Sequence, residues 1–122
     1  MEHKAWYDEE NELLRVKVVG PYSTDDALAM GKFGQELLEG KPYRQLIVDL
    51  TASTTMEGRE TRKIQNRILA ELGITDVAYV GAKAFVRVFA KVMMKLGSLD
   101  AATDFFKADD EALRWLKDQR RS

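Results

Sequence analysis

Alternation of apolar and polar positions opens the chain. In KAWYDEENELLRVKVVG, the runs AWY and LLRVKVVG, the second interrupted by Arg15 and Lys17, have the period of half-buried strands. The intervening EEN reads as a turn, so a β-hairpin is predicted at the start. Pro21 lacks a backbone N–H and is expected to stop the second strand. The period then lengthens. Ser23 or Thr24 can cap a helix running to Glu39, with Asp25 and Asp26 at the positive end of its dipole. Ala27, Met30, Phe33, Gly34, Leu37 and Leu38 fall on one side of that helix and are expected to be buried. Gly40 and Pro42 end it.

RQLIVDL is almost purely apolar at its centre, the pattern of a strand covered on both faces. From about 57 to 72 the spacing of Ile64, Ile68 and Leu72 is helical, with Arg59, Arg62, Lys63 and Arg67 on the opposite side of the wheel. DVAYVG is a fourth strand, KAFVRVFAKVMMKLG a third helix and TDFF a brief last strand. The closing ADDEALRWLKDQRR is amphipathic, with Ala112, Leu113, Trp115 and Leu116 on its apolar side. Trp6, Phe105, Phe106 and Trp115 read as core anchors. Strands alternating with helices after an opening hairpin predict an α/β fold: a mixed, largely parallel sheet packed with about four helices. At 122 residues, one domain spanning 1–122 is expected.

This order of elements, and in particular RQLIVDL, GITDVAYVG followed by an apolar helix, and FFKADDEALRWL, resembles the bacterial SpoIIAA-like proteins. These are a branch of the STAS domains, related in fold to CRAL-TRIO lipid-binding modules. The match spans nearly the whole chain. In STAS antagonists of anti-sigma factors, the strand ending in Asp-Leu is followed by an Asp-Ser-Ser-Gly segment whose serine receives a phosphate. Here Met56-Glu57-Gly58-Arg59 falls at that place and holds no hydroxyl, while Thr54, Thr55 and Thr61 stand at shifted positions. The resemblance therefore implies the fold and does not imply the phosphorylation switch.

Charge redirects attention to the middle of the chain. The formal net charge is −1, yet residues 57–96 hold eight Lys/Arg against four Asp/Glu, and the remainder eleven against sixteen. Lys83, Arg87, Lys91 and Lys95 recur every four residues and form one stripe on the predicted third helix, whose other positions are nearly all apolar. Such a helix suits an acidic protein surface, a lipid-like ligand or peripheral contact with anionic headgroups. A helix lying across the sheet with its stripe in water is the simpler reading and is sufficient to explain the pattern. Arg59 and Lys63 of the preceding helix could extend the patch, or could be a solvated face. Nucleic acid is a poor partner, because these helices are expected to offer no exposed aromatic platform for stacking bases.

Asp49 is predicted at the carboxyl end of a central strand, the edge where open α/β sheets bind ligands. Thr51, Ser53 and Thr54 could line a pocket there, and Gly81 would let something approach the backbone closely. The alternative is that Asp49 accepts backbone N–H bonds within its own loop. One carboxylate without a placed partner cannot divide acid and base roles, so no enzyme is expected. The chain has no cysteine and a single histidine, His3, which excludes thiolate chemistry and clustered imidazole metal sites. His3 itself is expected on an exposed or edge position, where it could act as a pH sensor. No phosphate-gripping glycine loop or nucleophile elbow is present, and no cofactor is predicted. No run of about 18 apolar residues occurs, and the charged start is unlike a signal peptide; a cytoplasmic location is expected. The reading at this level is a non-catalytic regulatory module that engages a protein partner, or a second copy as a homodimer, through the apolar-basic helix. The alternative is a carrier or sensor of a lipid-like or amphiphilic anion.

Overall fold

The computed structural model describes residues 2–56, 59–81 and 101–121 and, within them, all side chains but those of 54–56 and 59. The helix expected over 83–97, with Lys83, Arg87, Lys91 and Lys95, lies outside the described residues.

Among the described residues, five strands form one sheet in sequence order: β1 (Lys4–Asp8), β2 (Leu13–Tyr22), β3 (Gln45–Met56), β4 (Asp76–Val80) and β5 (Ala102–Phe106). β1 and β2 are the predicted antiparallel hairpin, and the other pairings are parallel. Three helices accompany them among the described residues: α1 (Thr24–Leu38), α2 (Arg59–Glu71) and α3 (Asp109–Gln119). The architecture is the mixed, largely parallel α/β sheet expected from the element order.

Because side chains alternate along a strand, each strand supplies both faces. One face sends Leu14, Val18, Leu46, Val48 and Val77 against Leu38 of α1 and Leu69 of α2. The other sends Leu13, Ile47, Ala78 and Val80 against Ala112 and Leu116 of α3. Leu46, Ile47 and Val48 are all buried, which explains why no polar position interrupts the centre of β3.

Local chemistry sets the helix limits. Ser23 caps α1 through a reciprocal pair: its Oγ accepts the Asp26 N–H at 3.1 Å, and the Asp26 carboxylate accepts the Ser23 N–H at 3.0 Å. α1 and α2 approach closely at Gly31, where an added Cβ would stand 2.8 Å from Ile68 Cγ2. Of the side predicted for α1, Ala27, Met30, Gly34 and Leu38 are buried, whereas Phe33 is 47% exposed. The apolar arc read from the wheel is wider than the strip that the sheet and α2 cover.

Three further expectations are corrected. β2 does not stop before Pro21; it runs through Pro21 to Tyr22 with a register irregularity at Gly20/Pro21. β1 no longer flanks β2 there, since its last pair is Lys4 with Lys17, so a missing N–H on that side loses no ladder bond. The hydroxyl-rich TASTTM is not a loop but the second half of β3, paired with β2 from Val19↔Ala52 to Tyr22↔Met56. Its β-branched threonines suit a strand once a neighbour is present. Trp6 is no core anchor: it is 43% exposed on the outermost strand. Trp115 is half-buried against Phe106, with ring centroids 5.5 Å apart.

Polar contacts tie the chain together at the amino end of the parallel strands. Buried Gln45 donates to Asp76 Oδ2 at 3.1 Å and to the Leu116 carbonyl at 2.8 Å, and accepts from Arg120 Nε at 2.8 Å. Arg120 also donates to the Asn11 and Glu12 carbonyls of the hairpin turn and stacks on Tyr43. Arg15 joins Asp8 to Asp109 at the start of α3, at 2.8 and 2.6 Å.

Asp8 carries a pH dependence. Burial acts to raise its carboxyl, but hydrogen bonds from the Asn11 side chain, Arg15 and the Asn11 N–H outweigh it and bring the group from 3.8 down to about 2. A carboxyl depressed by folding stabilises the native state above its unfolded value, and that contribution disappears as pH falls through the folded value. The native state is therefore expected to lose stability between about pH 4 and pH 2 through Asp8. Thermal melts of the protein and of Asp8→Asn across this window check it, the variant showing a shallower decline.

Candidate functional site

β3 overshoots β4. The last pairing between them is Asp49↔Val80, and seven more residues of β3 continue with β2 as their only strand neighbour among the described residues. Asp49 therefore stands where the sheet narrows from five strands to a two-stranded extension. It is half-buried, and its neighbour on β2 is Lys17. The register slips immediately beyond, as Lys17↔Asp49 is followed by Val19↔Ala52, leaving one extra residue on β3.

Asp49 shapes that slip. Its Oδ1 accepts the Thr51 backbone N–H at 2.9 Å and the Thr51 hydroxyl at 2.6 Å. This is the short-range side-chain pattern weighed against the pocket reading, found in an irregular strand and not in a loop. Gly81 completes the arrangement. It has φ +75°, and an added Cβ would overlap Thr51 Cγ2. The group that approaches the Gly81 backbone closely is thus Thr51 itself.

Asp49, Thr51 and Gly81 come together, then, as a packed unit. Ser53 lies further along β3, paired with Gly20 and half-buried; Thr54 is also in β3, but its side chain lies outside the description. Lys17 shares the Asp49 neighbourhood as a strand partner, not as a group across a cleft. The arrangement orients a strand and leaves Thr51 exposed; among the described residues it does not pair an acid with a base.

The basic side of α2 divides. Lys63 and Arg67 are exposed, Arg67 lying 3.9 Å from Glu71. Arg59 begins α2, with a side chain outside the description. Arg62 does not belong to the solvated stripe: its guanidinium nitrogens are buried. It stands three residues before Gln65 and seven before Leu69, on the sheet-facing side of the helix. Burial lowers the Arg62 guanidinium from its ordinary value, an effect opposed by Tyr79, and burial raises the Tyr79 phenol.

A set of polar groups between α1, α2 and β2 was not anticipated. Tyr22 donates to Gln65 Oε1 at 3.1 Å, and the Thr24 and Thr61 hydroxyls meet at 2.7 Å. His3 joins them. It is 8% exposed, accepts the Val19 N–H at Nδ1 (2.9 Å), contacts Asp26 Oδ2 through Nε2 (3.1 Å) and meets the Tyr22 ring edge-on. Of the two placements expected for His3, the edge is met, since it directly precedes the outermost strand, and exposure is not: it is a buried tie, its side chain taking the place that a further β1 carbonyl would hold beside β2. Spacing carries no signal for this, since His3 acts on residues 16 and 23 positions away.

No described helix is long and apolar enough to cross a membrane. Among the described residues, no group of three or more His, Asp or Glu could hold a metal ion.

No protein-family model matches the chain, and no curated protein matches it. Solved structures do. A protein of the DUF3478 family from Shewanella loihica PV-4, described as having a SpoIIAA-like fold, is 18% identical, with 93% of this chain and 91% of that one covered and a TM-score of 0.67. The anti-sigma factor antagonist SpoIIAA in its unphosphorylated form is 8% identical, with 94% and 97% covered and a TM-score of 0.62. RsbS from Moorella thermoacetica, in a variant form, is 16% identical over 100% of both chains, with a TM-score of 0.61. At these identities the likeness speaks of architecture, and it extends from the opening hairpin to α3. The chain has a SpoIIAA-like, STAS-type fold.

Proposed function

We propose that this chain is a non-catalytic regulatory module that binds a protein partner. The observation that supports it best is the end-to-end likeness to SpoIIAA, a protein named as the antagonist of an anti-sigma factor. The site chemistry agrees: the Asp49 carboxylate is engaged by Thr51 of its own strand, a shaping role in place of a reactive one. The two of these three structures that are named for a role, SpoIIAA and RsbS, are not named for a lipid or another small ligand, and SpoIIAA is named for a protein partner, which favours a protein partner over a carrier function. The surface we assign is the carboxyl edge of the sheet, with the end of β3 (Thr51, Ser53 and Thr54) and the start of α2 (Arg59 and Lys63); the sequence adds the cationic row Lys83, Arg87, Lys91 and Lys95, which lies outside the described residues, as a candidate part of the same patch. An acidic partner surface complements it.

Affinity capture from the source cells, followed by titration of the purified captured protein, tests this reading. Replacing Lys63, Arg87, Lys91 and Lys95 together by Ala is expected to weaken binding by about tenfold or more, with a weaker salt dependence. Unchanged affinity would reject the assigned surface, and a small molecule retained on the native chain in native mass spectrometry would reject the protein-partner reading.

A further inference from the structure

β1 is an outermost strand: it pairs with β2 on one side, and among the described residues no strand lies on the other. Its side chains alternate. Tyr7 packs with the cluster under α1, which places Lys4, Trp6 and Asp8 on the opposite face, where Asp8 meets Arg15. That face reads cation, aromatic, anion, with Trp6 in the middle and 43% exposed.

This order is self-complementary. Turning an identical strand by 180° about Trp6 sets Asp8 of one copy opposite Lys4 of the other, twice, with the two Trp6 side chains facing each other. Within the chain, Lys4 has the reverse situation, since its register partner on β2 is Lys17, a like charge directly opposite. No ion pair is recorded for Lys4 among the described residues, whereas Asp8 has oxygens that already draw cationic and amide donors.

We propose that two copies of the chain associate edge to edge through β1, antiparallel, with Trp6 on the two-fold axis. The result is an isologous contact that continues the sheet across both subunits. Lys4 of one copy adds a donor to the Asp8 carboxylate of the other and relieves its confrontation with Lys17, and the Trp6 pair covers apolar surface otherwise open to water. The edge of a five-residue strand is small beside a standard interface, so the association is weak and depends on concentration. This inference stands independently of the carboxyl-edge surface assigned above.

Sedimentation equilibrium at protein concentrations up to about 1 mM tests it. A dimer population rising with concentration and falling with salt is expected, and a monomer throughout overturns the proposal. Trp6→Lys should weaken association at least tenfold while leaving the melting temperature near that of the parent. Lys4→Ala decides the role of the lysine: weaker association supports the pairing, whereas stronger association would show that Lys4 guards the edge against it. Because the chain has no cysteine, Trp6→Cys offers an independent readout of register. Oxidation should join two copies covalently, while Lys63→Cys on α2 should stay uncrosslinked; failure of Trp6→Cys to crosslink in a sample that sediments as a dimer excludes Trp6 from the axis.

Discussion

Gly81→Ala is expected to destabilise the protein by roughly 2–4 kcal/mol in equilibrium denaturation, a large effect for one methyl group. Two costs combine. Gly81 has φ +75°, a left-handed conformation that costs an L-residue about 1–2 kcal/mol. The new Cβ would also overlap Thr51 Cγ2, and crowding of this kind typically costs about 1–3 kcal/mol. The two parts separate experimentally. Thr51→Ser deletes Cγ2 while keeping the hydroxyl that donates to Asp49, so in the double variant the overlap is relieved and only the backbone cost of about 1–2 kcal/mol remains. Additive losses would mean that Gly81 and Thr51 do not touch as described.

Leu116→Ala should cost about 2–5 kcal/mol, the range for deleting a fully enclosed leucine side chain. Leu116 lies at the centre of the second cluster, against strand residues Leu13, Ile47, Ala78 and Val80. Its carbonyl is held by Gln45, whose remaining bonds reach Asp76 and Arg120, so loosening the last turn of α3 also strains the contacts that fasten the hairpin turn. Urea denaturation measures the loss. A cost below about 1 kcal/mol would show that α3 does not carry the packing of this face.

Periodicity was a good guide where an element's own residues determine it. Ser23 or Thr24 followed by two aspartates announced the start of α1, the uninterrupted LIV of β3 announced burial on both faces, and Ala112 with Leu116 announced the inner side of α3. It failed where a distant neighbour decides. TASTTM has loop-like composition and becomes strand only because the end of β2, Pro21 included, runs beside it. Phe33 and Trp6 are apolar at positions of the right period, but nothing among the described residues extends far enough to bury them. His3 and Arg62 are polar residues turned inward: His3 is held by Val19 and Asp26 elsewhere in the chain, and the guanidinium nitrogens of Arg62 are buried on the sheet-facing side of α2. At Asp49 the bonding was legible in part: a carboxylate accepting a backbone N–H within its own loop was one of the two readings entertained, and the N–H it accepts belongs to a strand residue, Thr51. That Gly81 closes on Thr51 was not, because their contact depends on the parallel register of β3 and β4.

Hydrogen exchange followed by mass spectrometry, on the chain alone and saturated with its captured protein partner, probes most directly whether this fold works by docking at its carboxyl edge. Slowed exchange over residues 57–67 and 82–97 and the end of β3, with β5 and α3 unaffected, is the predicted footprint. Protection confined to α3 or to the hairpin, leaving the cationic segments to exchange as before, would contradict it.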